Sequence, residues 1–234
     1  MNNIYSDGTY LAMTPSWHSE DSAWKARQIM RGIAQAKIQP LNICDVGCGA
    51  GEVLWELADN MPKEVRLIGF EPSPQASALQ RPCHDGRIRF IQGDFFEQPS
   101  EHFGLVLAID VFEHIPDYLG FLQALRQRAD YAIFHIPMDL TVLNLLNPLA
   151  LAHTRNTLGH LHFFDRESTL ATLKACGYNI LCEFLTNWIE ELPHRASIQP
   201  VLRRSLVVAK AIWGERRAVQ LLGGHSLLVV ASCI

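Results

Sequence analysis

Residues 43–54, Ile43-Cys44-Asp45-Val46-Gly47-Cys48-Gly49-Ala50-Gly51-Glu52-Val53-Leu54, combine a carboxylate with three glycines at every second position. An apolar run ends at Asp45, and apolar residues resume at helical spacing after Gly51, so the segment reads as strand, turn and helix. Glycines permit positive φ and let the backbone close on a ligand, while a carboxylate at the strand end accepts hydrogen bonds from an ammonium or hydroxyl group. The chemistry implied is the binding of a nucleotide-like molecule. A dinucleotide fingerprint counted from Gly47 requires glycine or alanine at position 52, where Glu52 stands, so a nicotinamide cofactor is disfavoured.

Further carboxylates follow at strand ends. Glu71, in Ile68-Gly69-Phe70-Glu71-Pro72, lies about 20 residues past the glycines, where an acid holds ribose hydroxyls. Asp94 and Phe95, in Gln92-Gly93-Asp94-Phe95-Phe96, offer a carboxylate to an exocyclic amine, a backbone N–H to a ring nitrogen and an aromatic ring to a purine face; Phe96 has a plain reading as core. After the next strand comes Asp110-Val111-Phe112-Glu113-His114-Ile115-Pro116-Asp117.

Histidines supply the candidate bases. His135, ending a strand in Phe134-His135-Ile136-Pro137, is the first choice, and His114 the second. His160 and His162 form an H-x-H pair that shares a face in extended chain, but a metal site wants three or four ligands and no cluster completes one, so no metal is expected. Instead, one of the pair is assigned to an acceptor pocket and the other to structural hydrogen bonding. Trp17 and His18, within a segment that also holds Tyr10, Glu20, Asp21, Trp24 and Lys25, and Arg155 in a later loop are candidate substrate contacts. Glu190 and Glu191 are weaker candidates for the same role.

These groups need a scaffold. Strands are expected at 41–46, 65–70, 88–92, 104–109, 130–136, near 179–186 and at 225–232, with helical patterns between most of them. Alternating β and α predicts a parallel sheet covered on both faces. At 234 residues the chain suits one domain, with residues 1–37 as an N-terminal lid region and insertions at 138–163 and 188–222 framing the acceptor site. The 12 residues from 141 to 152 are strongly apolar and fit either a pocket wall or a subunit contact.

A net charge of −4 without a basic run argues against nucleic acid as partner. Six cysteines without a C-x-x-C pair point to a reducing compartment, and neither a leader segment nor a membrane span is legible, so a cytoplasmic monomer or homodimer is expected.

The string Asp45-x-Gly47-x-Gly49-x-Gly51 resembles motif I of the Rossmann-like (class I) S-adenosylmethionine-dependent methyltransferases. Asp110-Val111-x-Glu113-His114-x-Pro116-Asp117 is similar to motif IV of the subgroup related to the ubiquinone-biosynthesis O-methyltransferases, and His160 and His162 fall in a segment that often follows the fifth strand there. From Trp17 to Ser226 the chain also resembles a group of bacterial methyltransferases whose acceptors the likeness does not supply. The resemblance implies a doubly wound α/β sheet of seven strands, the last antiparallel. It further implies S-adenosylmethionine as donor and S-adenosylhomocysteine as product, held by Asp45, Gly47, Cys48, Gly49, Gly51, Glu71, Pro72, Asp94, Phe95, Asp110 and Val111. A small-molecule oxygen or nitrogen acceptor is expected; the alternatives are a protein-modifying subunit and a non-catalytic cofactor-binding module.

Overall fold

The computed structural model describes residues 5, 8–84, 86–98, 101–147, 149–192 and 200–233; residues 193–199 of the second expected insertion lie outside the described residues. The strands are β1 (Asn42–Val46), β2 (Arg66–Glu71), β3 (Ile88–Gln92), β4 (Phe103–Ile109), β5 (Ala129–Pro137), β6 (Asn179–Thr186) and β7 (Ser226–Ser232). The helices are α1 (Thr9–Met13), α2 (Ser22–Ala36), α3 (Glu52–Asn60), α4 (Pro74–Ser77), α5 (Tyr118–Arg126), α6 (Val142–Leu146), α7 (Ala150–Leu158), α8 (Arg166–Ala175), α9 (Trp188–Glu191), α10 (Pro200–Trp213) and α11 (Glu215–Leu222).

One sheet runs in the order β3-β2-β1-β4-β5-β7-β6. Its pairs are parallel from β3 through β5, and β7 runs antiparallel to both β5 and β6. Strands connected by helices cannot pair as hairpins, so the chain crosses over the sheet and covers both faces. In β4, Val106 and Ala108 belong to one core cluster with Leu122 and Leu125 of α5, while Leu105 and Leu107 belong to the other with Ile29 of α2 and Leu54 of α3. This is the period-2 alternation of a strand buried on both sides. The chain leaves β1 toward β2 and β3, then returns to β4 on the other flank of β1. Such a reversal opens a crevice at the carboxyl ends of the strands, where Asp45 and Glu71 lie at the ends of β1 and β2, and Asp94 and Asp110 just past those of β3 and β4.

Local chemistry sets the helix starts. Asp117 caps α5 by accepting from the Gly120 N–H, and Asp165 caps α8 through a reciprocal box with Ser168. Ser73 caps α4 as its sequence suggests, but that helix is a single turn. Ser19 followed by Glu20 and Asp21 has the composition of a helix start, but it opens a 3-10 turn over Ser19–Asp21, and regular α-helix begins at Ser22. The expected irregular connection after β5 contains α6 and α7, with Val142, Leu143, Leu145 and Leu146 exposed. In α10, Val201, Val207 and Ile212 of the apolar pattern that suggests a helix face solvent, whereas Leu206 of the same pattern packs inward together with Ala209. No described helix is long and apolar enough to cross a membrane.

Gly69 in β2 lies directly beneath the glycine turn. A Cβ there would stand 2.6 Å from Cys48 Sγ and 2.9 Å from Leu54 Cδ1. Gly69→Ala is therefore expected to cost about 1–3 kcal/mol of stability by overpacking. For a chain of this size that is a fall in Tm of roughly 2–4 °C per kcal/mol, measured by thermal unfolding; an unchanged Tm would refute this close packing.

Candidate active site

The turn after β1 is closed on three sides. Gly47, Gly49 and Gly51 have φ of 75°, 55° and 79°, a region that disfavours side chains. A Cβ would also lie 3.0 Å from Val111 at Gly47, 2.8 Å from the Trp17 indole at Gly49 and 2.5 Å from the Phe90 ring at Gly51. The Gly47 and Cys48 N–H groups both donate to the Phe70 carbonyl, which fastens the turn to β2.

Two buried carboxylates flank this turn. Glu71 accepts from the Gly49 N–H at 2.8 Å through Oε2 and from the Ser73 N–H at 2.7 Å through Oε1. Each oxygen keeps a lone pair for a further donor. Burial pushes its carboxyl up, against the pull of those two N–H groups. Asp45 is 2% exposed, and its Oδ1 has no hydrogen-bond partner. Burial pushes Asp45 up to about 7, against the attraction of Lys25 and with help from Glu71. A buried carboxylate oxygen without a donor suits a cationic ligand.

A cleft of about 310 Å³ opens beside the turn, lined by Gly47, Phe70, Pro72, Asp94, Phe96 and Val111 among others. Its walls are mostly apolar with few polar groups, as a purine-sized pocket requires. Phe95 also borders it, yet its ring is 2% exposed and packs edge-on against Phe70 in the core. Phe96, with a plain sequence reading as core, is 37% exposed. Alternation explains the exchange: once Phe95 turns inward, its neighbour turns out. The Asp94 carboxylate caps the short turn that follows, accepting from the Phe96 N–H at 2.7 Å.

Asp110 lies at the head of β4, adjacent to the end of β5, with φ of 55°, a strained value for a residue with a Cβ. Its Oδ1 meets His135 Nδ1 at 2.6 Å and its Oδ2 meets Lys25 Nζ at 2.8 Å. Burial alone would raise this carboxyl, but Lys25 and His135 hold it well below the ordinary carboxylate range. The second nitrogen of His135 meets Thr186 Oγ1 at 2.9 Å, and the residue is 3% exposed in the middle of the sheet. Both nitrogens are thus engaged, which suits a group that positions Asp110 more than one that receives a substrate proton.

A second polar group gathers around His114. Its Nδ1 lies 2.9 Å from Tyr5 Oη and 3.2 Å from the Gly159 carbonyl, and Tyr5 in turn donates to the Leu158 carbonyl at 2.7 Å. Burial, and then His160, lower the pKa of His114 to about 4. His160 is 6% exposed and its Nδ1 meets Asp139 Oδ2 at 2.7 Å. Glu113 is fully buried with neither carboxylate oxygen hydrogen-bonded; burial and Asp110 push its carboxyl well up. The Glu113 backbone carbonyl accepts from the Leu161 and His162 N–H groups, so the first insertion is tied to the segment after β4.

The remaining candidates separate. Trp17 sits over Gly49 in an aromatic group with Tyr5 and Tyr10, and both Trp17 and His18 have positive φ, at 51° and 58°. His162 donates to the Ile115 carbonyl at 3.1 Å and packs on Tyr118, a structural role. Arg155 is exposed and donates to the Leu161 carbonyl at 3.4 Å, outside the cleft. Glu191 accepts from Trp24 and Gln28, and Glu190 pairs with Lys210, so both serve the packing of the second insertion. Lys25, Tyr5, Asp139 and Thr186 were not among the site residues expected from sequence. No spacing rule connects them to Asp110 or His114, and the available signal for Lys25 was only its place in an N-terminal segment dense in functional groups.

The sequence of residues 18–183 matches a family model described as a methyltransferase domain. No curated protein matches the chain. Among solved structures, the plantazolicin methyltransferase BpumL, in complex with a desmethyl substrate analogue and S-adenosylhomocysteine, is similar with a TM-score of 0.61 at 14% identity, covering 97% of this chain and 92% of its own. The cyclopropane synthase MmaA2 of Mycobacterium tuberculosis gives 0.59 at 16% identity, covering 88% and 84%. Magnesium protoporphyrin IX methyltransferase of Synechocystis PCC 6803, with bound S-adenosylhomocysteine, gives 0.59 at 14%, covering 90% and 82%. At such identities the shared property is the fold, and these proteins act on unlike acceptors. With the family model spanning most of the chain, this protein belongs to the methyltransferase-domain family and is an S-adenosylmethionine-dependent enzyme.

Proposed function

We propose that the enzyme methylates an oxygen or nitrogen atom of a small molecule, in the manner of the subgroup related to the ubiquinone-biosynthesis O-methyltransferases. The observation that carries this reading is the polar group of buried Glu113 and His160 with half-buried His114, just past Asp110 and tied by hydrogen bonds to Tyr5 and the first insertion. A few polar side chains lying largely out of solvent suit a small acceptor better than a protein surface does. Residues 1–37 then act as the lid, and the insertions at 138–163 and 188–222 as the frame of a single catalytic domain.

The donor supplies a methyl group already activated on a sulfonium. Glu71 accepts from the ribose hydroxyls, the apolar cleft between Phe70, Phe96 and Val111 takes the adenine, and Asp45 Oδ1 takes the ammonium. Lys25 and His135 fix Asp110 beside the reacting atoms. Holding the acceptor in line with the S–CH₃ bond supplies ~7–11 kcal/mol of the barrier, more than any one proton transfer. A second reading, a protein-modifying subunit, draws on the exposed leucines of α6, which offer a surface for a partner.

Two experiments test this. Incubation of the enzyme and a methyl-labelled donor with a cell extract is expected to label small metabolites; label on protein instead would favour the second reading. The role of Asp45 predicts a pH dependence of donor affinity. Its carboxyl is raised to about 7 in the free enzyme, so below that pH it must lose a proton before meeting an ammonium. The Kd for S-adenosylhomocysteine is therefore expected to weaken toward about tenfold per pH unit below 7, while 5′-methylthioadenosine, which lacks the ammonium, binds independently of pH. Calorimetry measures both, and parallel pH profiles would remove Asp45 from this role.

A further inference from the structure

Glu113, on the segment after β4, is fully buried, and neither of its carboxylate oxygens has a hydrogen-bond donor among the described residues. Two imidazoles lie beside it. The Tyr5 hydroxyl donates to the Leu158 carbonyl, so Tyr5 Oη and the Gly159 carbonyl are both acceptors toward His114 Nδ1, which must carry the ring proton. In the neutral ring Nε2 is then a bare lone pair. His160 follows the same rule, because its Nδ1 meets the acceptor-only Asp139 carboxylate at 2.7 Å.

Three acceptors therefore converge, and one of them is a carboxylate out of reach of water. Protonation of Glu113 does not join them, because its Oε1 is 3.9 Å from His114 Nε2, too far for a hydrogen bond. A hydroxyl brings one proton and no charge, whereas a primary ammonium brings three N–H donors and a positive charge. The dimensions agree. Charge-assisted hydrogen bonds of about 2.8 Å at tetrahedral angles set three partners about 4.6 Å apart, and the ligand atoms of Glu113, His114 and His160 lie within 4.8 Å of one another. We propose that the methyl acceptor carries a primary ammonium group and that Glu113, His114 and His160 hold it.

This rests on the small-molecule reading above and narrows it to amine-bearing molecules. Burial and Asp110 both oppose a charged carboxylate at Glu113, and a cation set against it offsets both. An ammonium with all three N–H groups engaged has no lone pair, so the held nitrogen anchors the acceptor and the methyl group goes to another oxygen or nitrogen of the same molecule. The site stands next to the donor turn: the Tyr5 ring that supports His114 is 6.3 Å from the ring of Trp17, whose indole covers Gly49.

Calorimetry on the whole chain, saturated with S-adenosylhomocysteine to fill the donor cleft and kept in EDTA to exclude divalent ions, compares three probes of similar shape. Benzylammonium is expected to bind at least about tenfold tighter than benzyl alcohol, which is uncharged, and than benzyltrimethylammonium, which has the charge but no N–H. Glu113→Gln is expected to remove this preference. Asp139→Asn, partly exposed and close to isosteric, is expected to reduce it, because an amide can donate to His160 Nδ1 and send the ring proton to Nε2, into the site. Exposed His153→Ala should change nothing. Absence of the preference in the wild type, or a preference that both site variants retain, overturns the proposal. The methyl-labelled extract tests the underlying reading separately. Labelled metabolites without an amine preference overturn the ammonium site alone, whereas label confined to protein overturns the small-molecule acceptor.

Discussion

Everything at the candidate active site depends on three places where a side chain has no room. Gly47 is closed against Val111 from the segment after β4, Gly49 against Trp17 from the N-terminal segment, and Gly51 against Phe90 of β3. Three remote stretches thus converge on one turn because each finds a missing Cβ there. Positive φ at all three residues bends the chain back sharply enough to put Asp45 at the floor of the crevice and start α3 immediately after it. Larger residues would push away Val111, Trp17 or Phe90, so the turn is a packing hub for all three stretches.

Charge is the second constraint. Asp45, Glu71, Asp110 and Glu113 lie near the carboxyl ends of β1, β2 and β4, all but Asp110 buried. Bringing carboxylates out of water is costly unless each finds a partner. Asp110 finds two, Lys25 and His135; Glu71 finds two backbone N–H groups; Asp45 and Glu113 retain oxygens without donors. The first two are satisfied by the fold, and the last two are not.

Much of the framework was legible because it rests on local rules. Branched apolar runs mark all seven strands within about a residue or two, since a strand buried on both faces has little freedom in composition. Asp165 and Gly177 bound α8 because capping and positive φ are properties of single residues. The faces of the later helices were less legible. Val201, Leu206, Val207 and Ile212 have the composition of a core stripe, yet of these Leu206 alone, with Ala209, joins Ile189 and Ala218 in the buried cluster. Periodicity reveals that a helix has an apolar side, but its neighbours decide which side is covered.

The sequence by itself determined the glycine turn, the acids at the strand ends and the order in which they come, because each is a local consequence of a strand meeting a turn. Only the tertiary structure decided the partners of the histidines. His135, foremost on sequence grounds, is locked between Asp110 and Thr186, and the H-x-H pair divides, with His160 joining His114 and Glu113 while His162 turns to the Ile115 carbonyl. An imidazole offers two nitrogens and several possible partners, and which lone pair remains free depends on residues far away in the chain, such as Tyr5, Asp139 and Gly159, brought near only by folding.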